Sequence, residues 1–127
     1  MNKMTTFYIV RHAETEFNVK GIMQGNVVDS SLTKKGEEQA RNIAIELSRI
    51  HFDHAFSSDL LRAKRTAQII TLEKKLAVKT TQALREQSYG RHEGKPIETF
   101  ERELKKLFET YEKLTDDKKM HFRFEKG

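Results

Sequence analysis

Three short apolar runs, at residues 5–10, 54–57 and 77–81, are separated by stretches long enough to form a helix and return. That alternation admits few folds. Strand, helix, strand, helix, strand, with crossovers of helical length, predicts an α/β domain on a mostly parallel sheet. The first run, Thr-Thr-Phe-Tyr-Ile-Val, is rich in β-branched and aromatic residues and predicts a buried strand. Thr33 is placed to N-cap a helix reaching about Arg49, with Glu37 and Glu38 near its start. Ala40, Ile43, Ala44, Leu47 and Ile50 form its apolar stripe. Ser58 or Asp59 is placed to cap a second helix carrying Leu61, Ala63, Ala67, Ile69 and Ile70. Pro96 suits the start of a third, with Phe100, Leu104, Leu107, Phe108, Tyr111 and Leu114 on one face. Residues 11–32 and 84–96 show no regular period and hold Gly21, Gly25, Gly90, Gly94 and the only proline, so both are expected to be loops. At 127 residues the expectation is a single domain, 1–127.

In open parallel sheets, ligands bind beyond the carboxyl ends of the strands. After the first run come Arg11, His12, Ala13, Glu14 and Thr15, then Asn18. After the second come Ser57, Ser58, Asp59 and, on the following helix, Arg62. After the third come Leu84, Arg85 and Glu86, then Tyr89-Gly90 and Glu93-Gly94. A sheet would gather Arg11, His12, Arg62 and Glu86 at one edge. Their chemistry is coherent. An imidazole nitrogen is a nucleophile toward phosphorus. Guanidinium groups bind phosphate oxygens in pairs and stay charged. A carboxylic acid can protonate a leaving alkoxide and then activate water, and Asn18 could donate a further hydrogen bond to the phosphate. Taken singly, each has a plainer reading: a packed or solvated histidine, a surface arginine, a loop carboxylate.

Several motifs in order remove that ambiguity. Val10-Arg11-His12-Ala13-Glu14-Thr15, Gln24-Gly25, Leu32-Thr33-x-x-Gly36, Gln39-Ala40, Ser57-Ser58-x-Leu60-x-Arg62, Thr66-Ala67 and Leu84-Arg85-Glu86-x-x-Tyr89-Gly90-x-x-Glu93-Gly94 run from about residue 6 to 96. The set resembles the histidine phosphatase superfamily, the phosphoglycerate mutase-like proteins. Within it, the chain is most similar to fructose-2,6-bisphosphatase-like and broad-specificity phosphatases. The resemblance implies a three-layer α/β fold, with a mostly parallel sheet and helices on both faces. It implies that His12 is the nucleophile, forming a phosphohistidine, and that Glu86 is the general acid and base. Arg11 and Arg62 would hold the phosphate. Glu14, Thr15, Asn18 and the Gln24-Gly25 turn would line the phosphate and substrate side. No metal and no cofactor is implied, because two arginines and an imidazolium supply the positive charge.

The chain departs from the family pattern at three points. Ala13 stands where glycine is commonest, and Ile22 where arginine is frequent. The family's second active-site histidine, in a Ser-His-Gly type sequence at the end of a late strand, has no counterpart here. The expectation is therefore an incomplete copy of a longer domain, lacking the last strand or strands.

The expected function is hydrolysis of the phosphate monoester of a small, sugar phosphate-like metabolite. The alternatives are a phosphoglycerate mutase and a phosphate-binding module with little turnover. Other classes fit poorly. The net charge is +5, and the basic residues are dispersed rather than interleaved with aromatics, so no nucleic-acid partner is expected. Without cysteine there is no disulfide and no thiolate zinc site. No apolar run approaches the roughly 20 residues that a bilayer requires, and no apolar leader follows Met1. A cytoplasmic protein without a membrane partner is expected.

Overall fold

The structure, a computed structural model, describes residues 4–122. Its helices are α1 (Glu16–Val19), α2 (Lys34–Glu46), α3 (Leu61–Thr71), α4 (Ile97–Glu112) and α5 (Asp116–His121), and its strands are β1 (Ala55–Ser58) and β2 (Val78–Thr81). Short 3-10 turns span Gln82–Leu84 and Gly90–His92. The two strands pair in parallel, with Ala55 opposite Val78 and Ser58 opposite Thr81. α3 makes the crossover and packs back on both strands, and α2 lies on α3. The α/β architecture with a parallel sheet is thus as expected.

Helix α2 begins where its cap directs. Thr33 Oγ1 accepts the Gly36 N–H at 2.9 Å, satisfying one of the first-turn donors that has no partner within the helix. Gly36 is buried, and a side chain there would run into the Glu14 carbonyl. The start of α2 therefore lies directly against the loop that carries His12. Ala40, fully buried one turn later, lets α2 and α3 approach closely.

Helix α3 is capped differently from expectation. Ser58 Oγ accepts the Leu60 N–H at 3.2 Å, just before the helix, and Leu60 itself occupies the cap position. The Leu61 N–H instead donates to the Asp29 carboxylate, which arrives from the long loop. An acidic side chain suits that position because the helix N-terminus carries partial positive charge.

Residues 5–10 differ from the sequence reading. They form no ladder among the described residues, and Phe7 and Ile9 are 80% and 94% exposed. An apolar run of this kind is a buried strand only when both of its faces are covered. Here neither side chain is covered, and Tyr8 sits edge-on against Phe52, with ring centroids 5.4 Å apart.

Helix α4 is tied to the rest through its leading segment. Met23 N–H donates to the Lys95 carbonyl at 2.8 Å, and Ile97 N–H to the Gly21 carbonyl at 2.8 Å. Phe100 then stacks edge-on against Tyr89 and His92, with centroids 5.7 and 5.2 Å away.

The interior is unusual in composition. Its buried apolar residues are Ala13, Met23, Ala40, Leu60 and Ile70, while Thr15, Ser57, Ser58, Arg62, Thr66, Thr71 and His92 are buried polar groups. Buried polar groups require partners; Thr15, Arg62 and Thr66 find theirs in the loop at residues 13–29, whereas Ser57, Ser58 and Thr71 bond to their own neighbours.

Candidate active site at His12

His12 is half-buried, and its Nδ1 lies 2.9 Å from the Ala13 carbonyl. A carbonyl oxygen only accepts, so Nδ1 carries the proton and a neutral ring keeps its lone pair on Nε2. Burial, the largest influence, lowers the pKa of the ring from 6.5. The Arg62 and Arg11 guanidinium charges add to that, against the opposing pull of the Ala13 hydrogen bond and of Asp29. The ring is therefore neutral at physiological pH, the form that can attack phosphorus.

A cleft of about 310 Å³ opens beside it, lined by Arg11, His12, Glu14, Asn18 and Gln39. Arg11 is exposed, and among the described residues it pairs with no carboxylate. Asn18 is oriented by Thr15, which is 0% exposed and caps α1. Asn18 Oδ1 accepts both the Thr15 N–H and the Thr15 hydroxyl at 3.0 Å. That leaves the Nδ2 protons of Asn18 for a ligand. Gln24 Nε2 donates to Thr15 Oγ1 at 2.8 Å, and Gln24 Oε1 accepts from the Ser30 hydroxyl at 2.9 Å. Thr15 and Gln24 are thus brace residues behind the cleft. Glu14 reaches the cleft with its carboxylate already engaged. The Thr33 hydroxyl donates to it at 2.8 Å and Lys35 lies 3.3 Å away, and both hold its pKa below the usual carboxylate range.

Arg62 is 3% exposed and grips the loop at residues 25–29. Its Nη1 donates to Asp29 Oδ1 at 2.9 Å and to the Val28 carbonyl at 3.3 Å, and its Nη2 to the Gly25 carbonyl at 2.8 Å. Of the five guanidinium donors, Nε–H and one Nη2–H remain for an anion.

The loop that Arg62 holds is fixed from the other side by Glu93. Its carboxylate accepts the backbone N–H groups of Asn26, Val27, Val28 and Tyr89 at 2.8–3.2 Å. Burial opposes ionisation of Glu93, but the four N–H donors outweigh it and bring the pKa down to about 2. Gly25 is required beside this carboxylate, because a Cβ would collide with it.

Glu86 stands apart from this arrangement. It is exposed, its Oε1 accepts the N–H of its own neighbour Gln87 at 2.9 Å, and it does not line the cleft. The preceding residue is firmly held: Arg85 makes a two-pronged pair with Asp59 at 2.7 and 2.6 Å and reaches the Asn26 carbonyl at 3.1 Å. The structure therefore gathers Arg11, His12, Glu14 and Asn18 at the cleft, backs them with Thr15, Gln24, Gly25 and Arg62, and leaves Glu86 outside.

Three contributors escaped the sequence reading. Asp29, within the stretch expected to be a loop, caps α3 and pairs with Arg62. Gln39 and Thr66 belong to recurring motifs, but their partners, the N–H groups of Glu14 and Ala13, lie 25 and 53 residues away. Among the described residues, no group of three or more His, Asp or Glu is placed to hold a metal ion, and no helix is long and apolar enough to cross a membrane.

Comparison with known proteins gives a consistent result. A family model described as the histidine phosphatase superfamily (branch 1) matches residues 7–123. A fructose-2,6-bisphosphatase, TIGAR, of Mus musculus is 46% identical over 94 residues, covering 70% of this chain and 35% of the mouse protein. A broad-specificity phosphatase of Saccharomyces cerevisiae is 41% identical over 101 residues, covering 76% of this chain and 44% of the yeast one. The crystal structure of a phosphoserine phosphatase from Entamoeba histolytica, in complex with 3-phosphoglyceric acid, superposes with a TM-score of 0.63 at 36% identity, covering 71% of this chain and 44% of that one. The chain thus spans about a third to a half of the length of these relatives.

Proposed function

Since the chain belongs to the histidine phosphatase superfamily, we propose that its site hydrolyses the phosphate monoester of a small metabolite through a phosphohistidine at His12. The observation that carries this reading is the state of the ring: Nδ1 committed to the Ala13 carbonyl, the pKa lowered, and a cleft with Arg11 and Asn18 beside it. Relatives named for a sugar bisphosphate and for phosphoserine have in common a phosphomonoester on a small molecule. That supports a sugar phosphate-like substrate.

The steps follow from the groups available. Arg11, Asn18 Nδ2 and the remaining Arg62 donors bind the phosphoryl oxygens and spread the charge that builds up on them. The His12 Nε2 lone pair attacks phosphorus, forming N–P while the ester P–O bond breaks. Glu86, brought over the bound substrate, gives its proton to the departing alkoxide and then takes one from water. That water attacks phosphorus, N–P breaks, and inorganic phosphate leaves with the ring neutral again. Glu14 lines the cleft beside the bound substrate, and Thr15, Gln24 and Gly25 hold that side in shape from behind.

The test is acid-labile labelling of the chain by a radiolabelled phosphomonoester, together with phosphate release. Both are expected in the wild type and absent in His12→Ala. Label or release persisting in a pure preparation of that variant overturns the assignment. One observation favours a second reading, a phosphate-binding module with little turnover: the Glu86 carboxylate is turned onto its own backbone and away from the cleft. Phosphate protection of His12 from chemical modification, without label or release, would select it.

A further inference from the structure

The His12 ring is held through its neighbour. Its Nδ1–H donates to the Ala13 carbonyl, so a rotation of the backbone at Ala13 turns the ring. Ala13 in turn is fixed from outside the loop by one side chain, through the bond from its N–H to Thr66 Oγ1 at 3.1 Å. The same hydroxyl donates to the Arg62 carbonyl at 2.8 Å, one turn earlier on α3. Thr66 is 3% exposed, so water does not compete for either bond. A hydroxyl has one proton. With that proton on the Arg62 carbonyl, a lone pair faces the Ala13 N–H, and both directions are determined.

Threonines in helices commonly bond back to the carbonyl four residues earlier, and Thr71 and Thr110 do so here, to Ala67 and Lys106. Thr66 is distinguished by its second bond, outward to the loop that carries the nucleophile. One oxygen atom thereby joins the backbone beside His12 to the backbone of the arginine that grips the anion side. Gln39 supports this from α2, its Oε1 accepting the next N–H along, that of Glu14, at 3.0 Å.

We infer that Thr66 is a positioning residue: its hydroxyl sets His12 Nε2 against the Arg62 guanidinium and keeps the ring in the Nδ1–H form. The consequence for rate rests on the phosphoryl-transfer reading above, whereas the consequence for the ring rests on geometry alone. Thr66→Val conserves shape and removes the acceptor, and Thr66→Ser keeps the hydroxyl. Both are made in the 127-residue chain and measured below their unfolding temperatures. Heteronuclear NMR of the ring nitrogens is expected to show Nδ1 protonated and Nε2 bare in the wild type and in Thr66→Ser, and a mixture of tautomers in Thr66→Val. The first-order rate of His12 phosphorylation by para-nitrophenyl phosphate should fall roughly ten- to a hundredfold in Thr66→Val with KM little changed, and stay near wild type in Thr66→Ser. A folded Thr66→Val with the wild-type ring pattern and the wild-type phosphorylation rate overturns the inference. If the wild type itself forms no phosphohistidine, the functional reading fails, and the ring tautomers still decide the role of Thr66.

Discussion

The two loops that supply the site are held in opposite ways. Residues 11–29 are gripped from several sides: Thr66 and Gln39 bind the N–H groups of Ala13 and Glu14, Thr15 and Gln24 brace Asn18, and Arg62 and Glu93 close on residues 25–29. The stretch that follows β2 is anchored at Arg85 and again at Glu93, yet among the described residues the Glu86 carboxylate between them bonds to its own neighbour. The proposed nucleophile is thus set before any ligand arrives, whereas the group proposed as acid has to be brought to the ligand. Geometry fixed in advance removes reorganisation from the reacting step. An acid held away from the cleft would return some of that advantage.

Three measurements probe this contrast. Glu86→Gln is expected to lower phosphate release by about 10²–10⁴-fold, the usual range for a general acid, while leaving the melting temperature unchanged. Unaltered release would move the acid elsewhere and erase the contrast. Arg62→Ala should act on both binding and fold. It leaves Asp29 without its cation and frees the Gly25 and Val28 carbonyls, a loss of about 3–5 kcal/mol by analogy with other broken buried pairs. Denaturant unfolding reads it, and a change below about 1 kcal/mol would mean that the grip on residues 25–29 is weak. The smallest effect concerns acid. The folded pKa of Glu93, near 2, lies below its unfolded value of 4.5. The stability it contributes is therefore complete above 4.5 and declines as pH falls toward 2. Circular dichroism across that interval should show a loss that Glu93→Gln lacks, because the variant has already forfeited it.

What the sequence disclosed divides along the same line. Local signals were legible: Thr33 caps α2 by a bond three residues long, and the strand–helix–strand unit at 55–81 lies close to its expected bounds. Of the four residues expected to gather at one edge, Arg11 and His12 meet at the cleft with their loop neighbours Glu14 and Asn18, Arg62 lies behind it, and Glu86 stands outside. The structure departs from the reading where an outcome depends on distant partners. Arg62 was expected to hold phosphate, and nothing in the sequence signals that three of its bonds also run to a loop 33–37 residues earlier. Glu93 was one letter of a motif, while the N–H groups it gathers at 26–28 lie 65–67 residues away. Residues 5–10 carry every local mark of a strand, but burial is a property of what covers them, and Phe7 and Ile9 are bare.

The span between Glu93 and its loop also has a consequence in time. Contacts between distant residues are slow to form, since the chain must close a long loop before the bonds reward it. Helix α2, with its Thr33 cap, and the β1–α3–β2 unit are local and can assemble early. Residues 26–28, however, wait for a carboxylate 65–67 positions downstream. During synthesis the ribosome must deliver Glu93 before residues 26–28 take their final shape, so a nascent chain can form α2 and α3 before that loop is fixed.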